Sequence, residues 1–545
     1  MNLPFHSTRS TRAWVKKWNP IQFANGHAKS DFLSVTRSFV FLLLACSTAF
    51  AQSSTQTGFR ILQVDAGKVV GGMRTFQGVN GQPTPAMAGL PNLVRQYKAM
   101  HINLVRTHDF MGPTDVDAKF DFKNSELAWL IPDEKQRAGV VEAGNRSTIF
   151  PDSNADPEKP GSYNFAPTDK VLADIHASGA AIFFRVGRSW GSDAGPPADF
   201  DKYAAAVKHI AMHYNQGWAN GFHYHIEYWE FWNEPDGIFW SSTPEQFYHL
   251  YEKTARALKS VDPALKVGGV GLADPAHASP FREGFLDYCT AHQAPLDFYS
   301  WHTYARESED PYNGVRLARG LRSFLDKHGF PKAESILSEW NLSWDFTVQE
   351  ADELRGAHNA AFIGAVLSYL QDAPLDAAMF YRGDAAWMGL FDLQGKYYKT
   401  ACAFKAMGQM LDTPRRLAVT GTDTIGFAAV AGRSADARTV QILISNYAIP
   451  TGYKPREMHK PGDPPQPASS QAPPPAGIVY HDNAGYDLAV GNLPWGNQTF
   501  TLRRYRISAT QSLELVEEKS LSGGSLKLSN PLPTDTVELI VLQRP

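Results

Sequence analysis

Cysteine is scarce in this 545-residue chain: Cys46, Cys289 and Cys402 are the only three. That excludes a disulfide framework, so the fold must be held by its apolar core. The apolar run Phe39 to Ala45 is too short to span a bilayer, and no membrane span is expected. A basic surplus is also missing, with 52 Lys+Arg against 55 Asp+Glu and a net charge of −3, which leaves no electrostatic footprint for nucleic acid. No phosphate loop, dinucleotide fingerprint or Cys-x-x-Cys pair occurs, so no cofactor is expected.

What is present is ordinary for a folded globular protein, with 43% hydrophobic and 20% charged residues. The stretch SFVFLLLACSTAFAQ reads as an export signal over residues 1–51. Arg37 forms its positive flank, and Ala49 and Ala51 form the small-residue cleavage pattern. A retained membrane anchor is the competing reading, and Cys46 after Leu43-Leu44-Ala45 also permits a lipid anchor. The expected location is secreted or periplasmic. Cleavage after Ala51 shifts the chain further to the acidic side, to about −8. Cys289 and Cys402 lie inside apolar-periodic segments and are expected as buried free thiols.

From residue 78 to 411 short apolar runs alternate with helical patterns, the rhythm of βα units. The strand-like runs are 75–80, 103–110, 180–187, 227–233, 266–272, 297–304, 335–341 and 377–383. Between them, TDKVLADIHASG reads as a helix closed by Gly179, and TPEQFYHLYEKTARALKSV as one opened by Thr243 with proline next. Eight alternations favour an α/β fold of the (β/α)8 TIM barrel type over an open doubly wound sheet. After Leu411, runs such as TVQILISNY and DTVELIVLQ predict an accessory C-terminal β-sandwich over 412–545, which the β-like segment 52–77 is expected to join. The Pro-rich stretch 450–477 cannot bury enough apolar area to order itself and reads as a solvated loop.

In a barrel, chemistry is built where strands end at their C-terminal edge. Glu234, in YWEFWNEPDG, ends the fourth run, and Glu339, in SILSEWN, ends the seventh. Strands four and seven face each other across the mouth, so the two carboxyls can share one pocket, as retaining glycoside hydrolysis needs. Pro235 is expected to fix the turn and hold Asn233 extended.

Trp232-Asn233-Glu234-Pro235 together with Ser338-Glu339-Trp340-Asn341 resembles the retaining (β/α)8 glycosidases. Within that clan, YNFAPTDKVLADIHASGAAIFFRVG, YWEFWNEPD and the β-rich C-terminal part are similar to glycoside hydrolase family 39, which includes β-xylosidases and α-L-iduronidases. The resemblance implies Glu234 as general acid/base, Glu339 as nucleophile and Asn233 as donor to the sugar 2-hydroxyl. It implies His302 and Tyr304 as contacts of the nucleophile and the sugar, and Arg106 as the cation that keeps Glu339 ionised. The family's iduronidases carry a basic residue where Tyr304 stands, so the pattern here is β-xylosidase-like.

Around this frame, His108 shares a strand face with Arg106 and either lines the pocket or bonds within the mouth. Trp190, Trp301, Trp340, Trp344 and Trp387 fall near strand ends, where aromatic faces stack on sugars, although each is also a packing candidate. Trp340 and Trp387 are carried forward as substrate-binding candidates. Arg185, Arg188 and Arg382 could meet a uronate carboxylate. Asp384, past strand eight, either binds sugar hydroxyls or caps the following turn, and the sugar is the preferred reading. His223, His225 and Glu227 alternate like metal ligands but precede strand four, at the end of the barrel away from the chemistry, so no metal site is expected.

The partner expected is an oligo- or polysaccharide, cleaved at its terminal sugar by double displacement. An endo-acting hydrolase and a non-catalytic carbohydrate-binding protein are the alternatives.

Overall fold

The computed structural model describes residues 59–85, 89–110, 112–117, 133–188, 195–305, 310–344, 353–385, 388–449 and 484–545. The export signal with Cys46, the Pro-rich stretch 450–477, Trp190 and Trp387 lie outside the described residues. The first described strand, β1 (Arg60–Gly72), belongs to the C-terminal sheet. The next eight are β2 (Gly78–Asn80), β3 (Leu104–Arg106), β4 (Ala181–Val186), β5 (Tyr228–Phe231), β6 (Lys266–Leu272), β7 (Phe298–Tyr304), β8 (Glu334–Asn341) and β9 (Ala377–Phe380). Each pairs in parallel with the next and β9 returns to β2, closing a barrel. Seven of the eight runs read from the sequence contain one of these strands whole, and 335–341 covers all of β8 but Glu334.

Helices between the strands follow their local signals. The helix Ala166–Ser178 stops at Gly179, whose φ of 84° needs the left-handed region. The helix Pro244–Val261 begins after Thr243, whose side chain accepts a hydrogen bond from the Gln246 N–H. Cys289 and Cys402 are free and buried, as expected.

Period-two alternation sorts the barrel lumen into layers. Leu104, Phe183, Phe298, Ile336 and Met379, from β3, β4, β7, β8 and β9, form one apolar cluster. Phe183 and Phe298 meet across it with ring centroids 5.3 Å apart. Two residues further along each strand the lumen turns polar: Arg106, Arg185, Glu230, Ser300 and Ser338 are all fully buried. An apolar plug therefore closes the bottom and polar groups collect toward the C-terminal edge. In β8 a bulge breaks the alternation, since Trp301 pairs with Leu337 but the next residue, His302, pairs with Glu339. The extra residue, Ser338, re-aims Glu339 into the lumen.

The remaining strands are β10 (Arg415–Thr420), β11 (Phe427–Arg433), β12 (Thr439–Asn446), β13 (Gly485–Gly491), β14 (Thr499–Ile507), β15 (Ser512–Ser522), β16 (Leu526–Pro531) and β17 (Thr536–Gln543). With β1 they form one continuous sheet in the order β15-β14-β17-β12-β11-β10-β1-β13-β16, antiparallel except for β1 beside β13. The sheet curls until its ends meet: Arg504 of β14 bonds Asn530 of β16, and the Tyr486 hydroxyl of β13 donates to Glu538 of β17. One core, including Leu62, Ile442, Leu488 and Leu502, fills the space between.

The helices Ala357–Tyr369 and Lys399–Met410 lie between barrel and curled sheet. Residues Asn359 to Ser368 are all buried, because one side of that helix packs on the barrel and the other on β11, β12 and β17. Ser445 of β12 donates to the Ala361 carbonyl at 2.6 Å. A single apolar core runs through both parts, from Val79 and Ile182 to Leu443 and Leu539.

Candidate active site

At the C-terminal edge of the barrel Glu234 and Glu339 come together. One carboxylate oxygen of each and one ring nitrogen of His302 all lie within 4.8 Å of one another. The ends of β5 and β6 hold Glu234. Its N–H donates to the Gly271 carbonyl at 2.8 Å, and both oxygens of Asp236 accept backbone N–H groups, from Ala273 and Asp274, at 3.0 Å. Trp232 and Glu234 sit at positive φ, 69° and 42°. Such conformations persist only where the surroundings impose them. Pro235 does not act on Asn233 as expected: the residue a proline restrains is the one before it, Glu234.

Arg106, fully buried, organises the centre. Its Nε donates to Glu230 at 2.5 Å, one terminal nitrogen to Glu339 at 2.6 Å and to Asn80 at 3.2 Å, and the other to Asn233 Oδ1 at 2.9 Å. Holding Asn233 by its oxygen leaves the amide NH2 end as the donor. Tyr304 donates to the second oxygen of Glu339 at 2.6 Å. His302 Nδ1 lies 2.7 Å from Glu234 and 3.6 Å from Glu339, and His108 Nε2 lies 3.5 Å from both Glu339 and Asp109. Gly271, at φ 63°, closes the back of the site. A Cβ there would stand 3.4 Å from both Arg106 and His302.

The two carboxyls differ in what surrounds them. Desolvation, then the charge of Asp236, pushes Glu234 up to about 8 against the pull of Arg106, so it carries its proton at neutral pH. Burial also raises Glu339, but His302, Arg106 and the Tyr304 hydroxyl pull it back. Burial drives His302 down to about 4 and His108 well below its ordinary value, so both rings are neutral. Glu234, His302 and Glu339 are the one cluster among the described residues able to grip a cation. An ion there would have to take the proton of Glu234 and compete with the Tyr304 hydroxyl for the Glu339 oxygen nearest His302. A protonated acid facing an anchored carboxylate suits proton transfer and attack better.

Comparison with known proteins agrees with this geometry. Residues 165–318 match the model of Glycosyl hydrolases family 39. A β-xylosidase of Geobacillus stearothermophilus is 27% identical over 252 residues, 40% of this chain and 48% of the relative. A β-xylosidase of Caldicellulosiruptor saccharolyticus is 32% identical over 196 residues, 34% of this chain and 39% of the relative. The chain thus matches less than half the length of either curated relative. A glucosidase from Croceicoccus marinus, known from its crystal structure, is 34% identical, with a TM-score of 0.75 over 89% of this chain and 99% of that one.

The chain belongs to glycosyl hydrolases family 39. Of the candidates read from the sequence, the structure brings Glu234, Glu339, Asn233, His302, Tyr304, Arg106 and His108 into one mouth. Trp340 is a correction. It follows Glu339 on the opposite face of β8, is buried against Phe380 and Phe404, and lines an outer cavity with Leu337 and Phe362. Past the bulge the alternation resumes, so Trp340, next to Glu339, faces the opposite side. Trp301 likewise packs away from the mouth, with its Nε1 on Ser335.

Asp384 is committed to Arg382, which reaches both of its oxygens at 2.9 and 2.5 Å. It joins the site only indirectly, since Arg382 also donates to the Asp109 carbonyl and Tyr381 donates to the Asp109 carboxylate. The other arginines are paired too, Arg185 with Asp115 and Arg188 with Asp117. Glu227 pairs with Lys266, in keeping with a structural role.

Sequence reasoning missed Glu230, Asn80 and Asp236. A signal existed for Glu230: in YWEFWNE it lies four residues before Glu234 on an otherwise aromatic strand, where a buried carboxylate needs a cationic partner. Asn80 and Asp236 carry no comparable mark.

Proposed function

We propose that the protein is a retaining glycosidase acting on a terminal neutral sugar, β-xylosidase-like in its preference. The observation that carries this reading is the pair of carboxyls whose oxygens approach within 4.8 Å, one protonated by its surroundings and one held by Arg106 and Tyr304. So close an approach of the oxygens favours the retaining spacing, about 5–5.5 Å between carboxyls, over the roughly 6.5–9.5 Å of an inverting pair.

In the first step Glu234 gives its proton to the departing glycosidic oxygen while a Glu339 oxygen attacks the anomeric carbon. The C–O bond to the aglycone breaks as the glycosyl ester forms. In the second step Glu234, now ionised, takes a proton from water. The water oxygen bonds to the anomeric carbon and Glu339 departs. Asn233, oriented by Arg106, supplies the hydrogen bond to the 2-hydroxyl that strengthens as charge builds on the ring.

The paired state of Arg185, Arg188 and Arg382 supports a neutral sugar over a uronate. The similarity to a glucosidase along nearly its whole length supports a glucoside as the second reading. The reading also includes export to the periplasm or medium, supported by the Phe39–Ala45 run and by Ala49 and Ala51.

A panel of aryl xylosides and glucosides, followed by proton NMR of the first-formed anomer, tests it. Retention is expected. Glu339→Ala should lose at least about a thousandfold in kcat and regain part of it with azide, giving an inverted glycosyl azide. An inverted product from the unsubstituted enzyme, or full activity of Glu339→Ala, would overturn the assignment.

A further inference from the structure

Glu230 has no part in the two chemical steps, yet it is fully buried one turn of alternation below them. Its Oε2 accepts the Arg106 Nε–H at 2.5 Å, and its Oε1 accepts no hydrogen bond among the described residues. It therefore occupies one edge of the same guanidinium whose other edges hold Glu339, Asn80 and Asn233. A carboxylate buried with half its acceptor capacity unused is costly unless its charge has a use.

We propose that Glu230 is a positioning residue for the displacement: it fixes Arg106 against Glu339 and Asn233, and by offsetting that cation it keeps the group of Arg106, Glu230 and Glu339 one charge negative, matching the cationic sugar of the transition state. The inference rests on the reading of Glu234 and Glu339 as acid and nucleophile. Without Glu230, Arg106 would neutralise Glu339 alone, making it a weaker nucleophile. With Glu230 present, one guanidinium serves two carboxylates. Burial works against the charge on Arg106, and Glu230, followed by Glu339, more than restores it.

The groups around Glu230 leave it this role. Its β4 neighbour in register, Arg185, bonds Asp115, and its β6 neighbour is Gly268. From β7 neutral His302 feels its charge, and Glu339 of β8 and Asn80 of β2 share its Arg106. Asp109 and Asp236 add negative charge on the Glu234 side.

The test is Glu230→Gln, which keeps the shape and an acceptor for Arg106 while removing the charge. A negative neighbour raises a carboxyl's pKa, so its loss should move both limbs of the kcat/KM profile to lower pH, by about one unit. The expected cost is about 10–100-fold in kcat, with KM changed by less than about threefold. Carbon-13 NMR of the side-chain carboxyls follows the same titrations without turnover, so it reads out even if no glycoside is hydrolysed and the functional reading itself fails. Glu230→Asp retains the charge and should keep both limbs near their original positions even where kcat falls. Limbs and carboxyl midpoints unmoved in Glu230→Gln, whatever its Tm, or moved equally in Glu230→Asp, would overturn the proposal.

Discussion

At the scale of single residues, the site works through unequal environments of two identical side chains. Glu234 is desolvated beside Asp236, while Glu339 is desolvated beside Arg106, Tyr304 and His302. On the proposed mechanism Glu234, as the acid, must carry its proton and Glu339, as the nucleophile, must not. Activity is therefore lost as pH rises through the value of Glu234, about 8, and as pH falls through that of Glu339, itself above the ordinary carboxylate range. A bell-shaped kcat/KM profile with an alkaline limb near 8 is expected, and Glu234→Gln should remove that limb for aryl glycosides with good leaving groups. An alkaline limb unchanged in Glu234→Gln would assign it to another group.

At the scale of elements, strand ends and the short turns after them decide the geometry. Glu339 enters the lumen because β8 bulges at Ser338, and Glu234 is held where the turn after β5 bonds the end of β6. Gly271 sits at that junction. Gly271→Ala must adopt φ near 63° with a side chain and press its methyl toward Arg106 and His302. The left-handed conformation costs about 1–2 kcal/mol. The expected outcome is a Tm lowered by a few degrees together with a drop of about tenfold or more in kcat. Unchanged kcat in a variant of lowered Tm would show that the junction does not position Glu234 for its proposed role.

At the scale of the whole molecule, barrel and curled sheet share one core through the helices Ala357–Tyr369 and Lys399–Met410. The first is apolar on nearly every side and has no stable existence without both neighbours. Calorimetric unfolding of the residues from 59 onward is expected as one cooperative transition, with the barrel no more stable than the sheet. Two resolved transitions would contradict the shared core.

The sequence by itself determined the eight strand-helix alternations, the strand-rich C-terminal part, and the residues that meet at the mouth. These are readable because period-two and 3.6-residue patterns, Gly and Pro stops, and a carboxylate ending an apolar strand are local signals. Only the tertiary structure decided that Trp340 turns outward past the bulge, that Asp384 is taken by Arg382, and that Glu230 and Asn80 share Arg106 with Glu339. It also decided that the C-terminal strands form one curled sheet. Each of these depends on which distant segments become neighbours when the barrel closes. A bulge, a paired buried charge or a sheet's curvature is chosen by the packing around it, and no short window of residues contains that information.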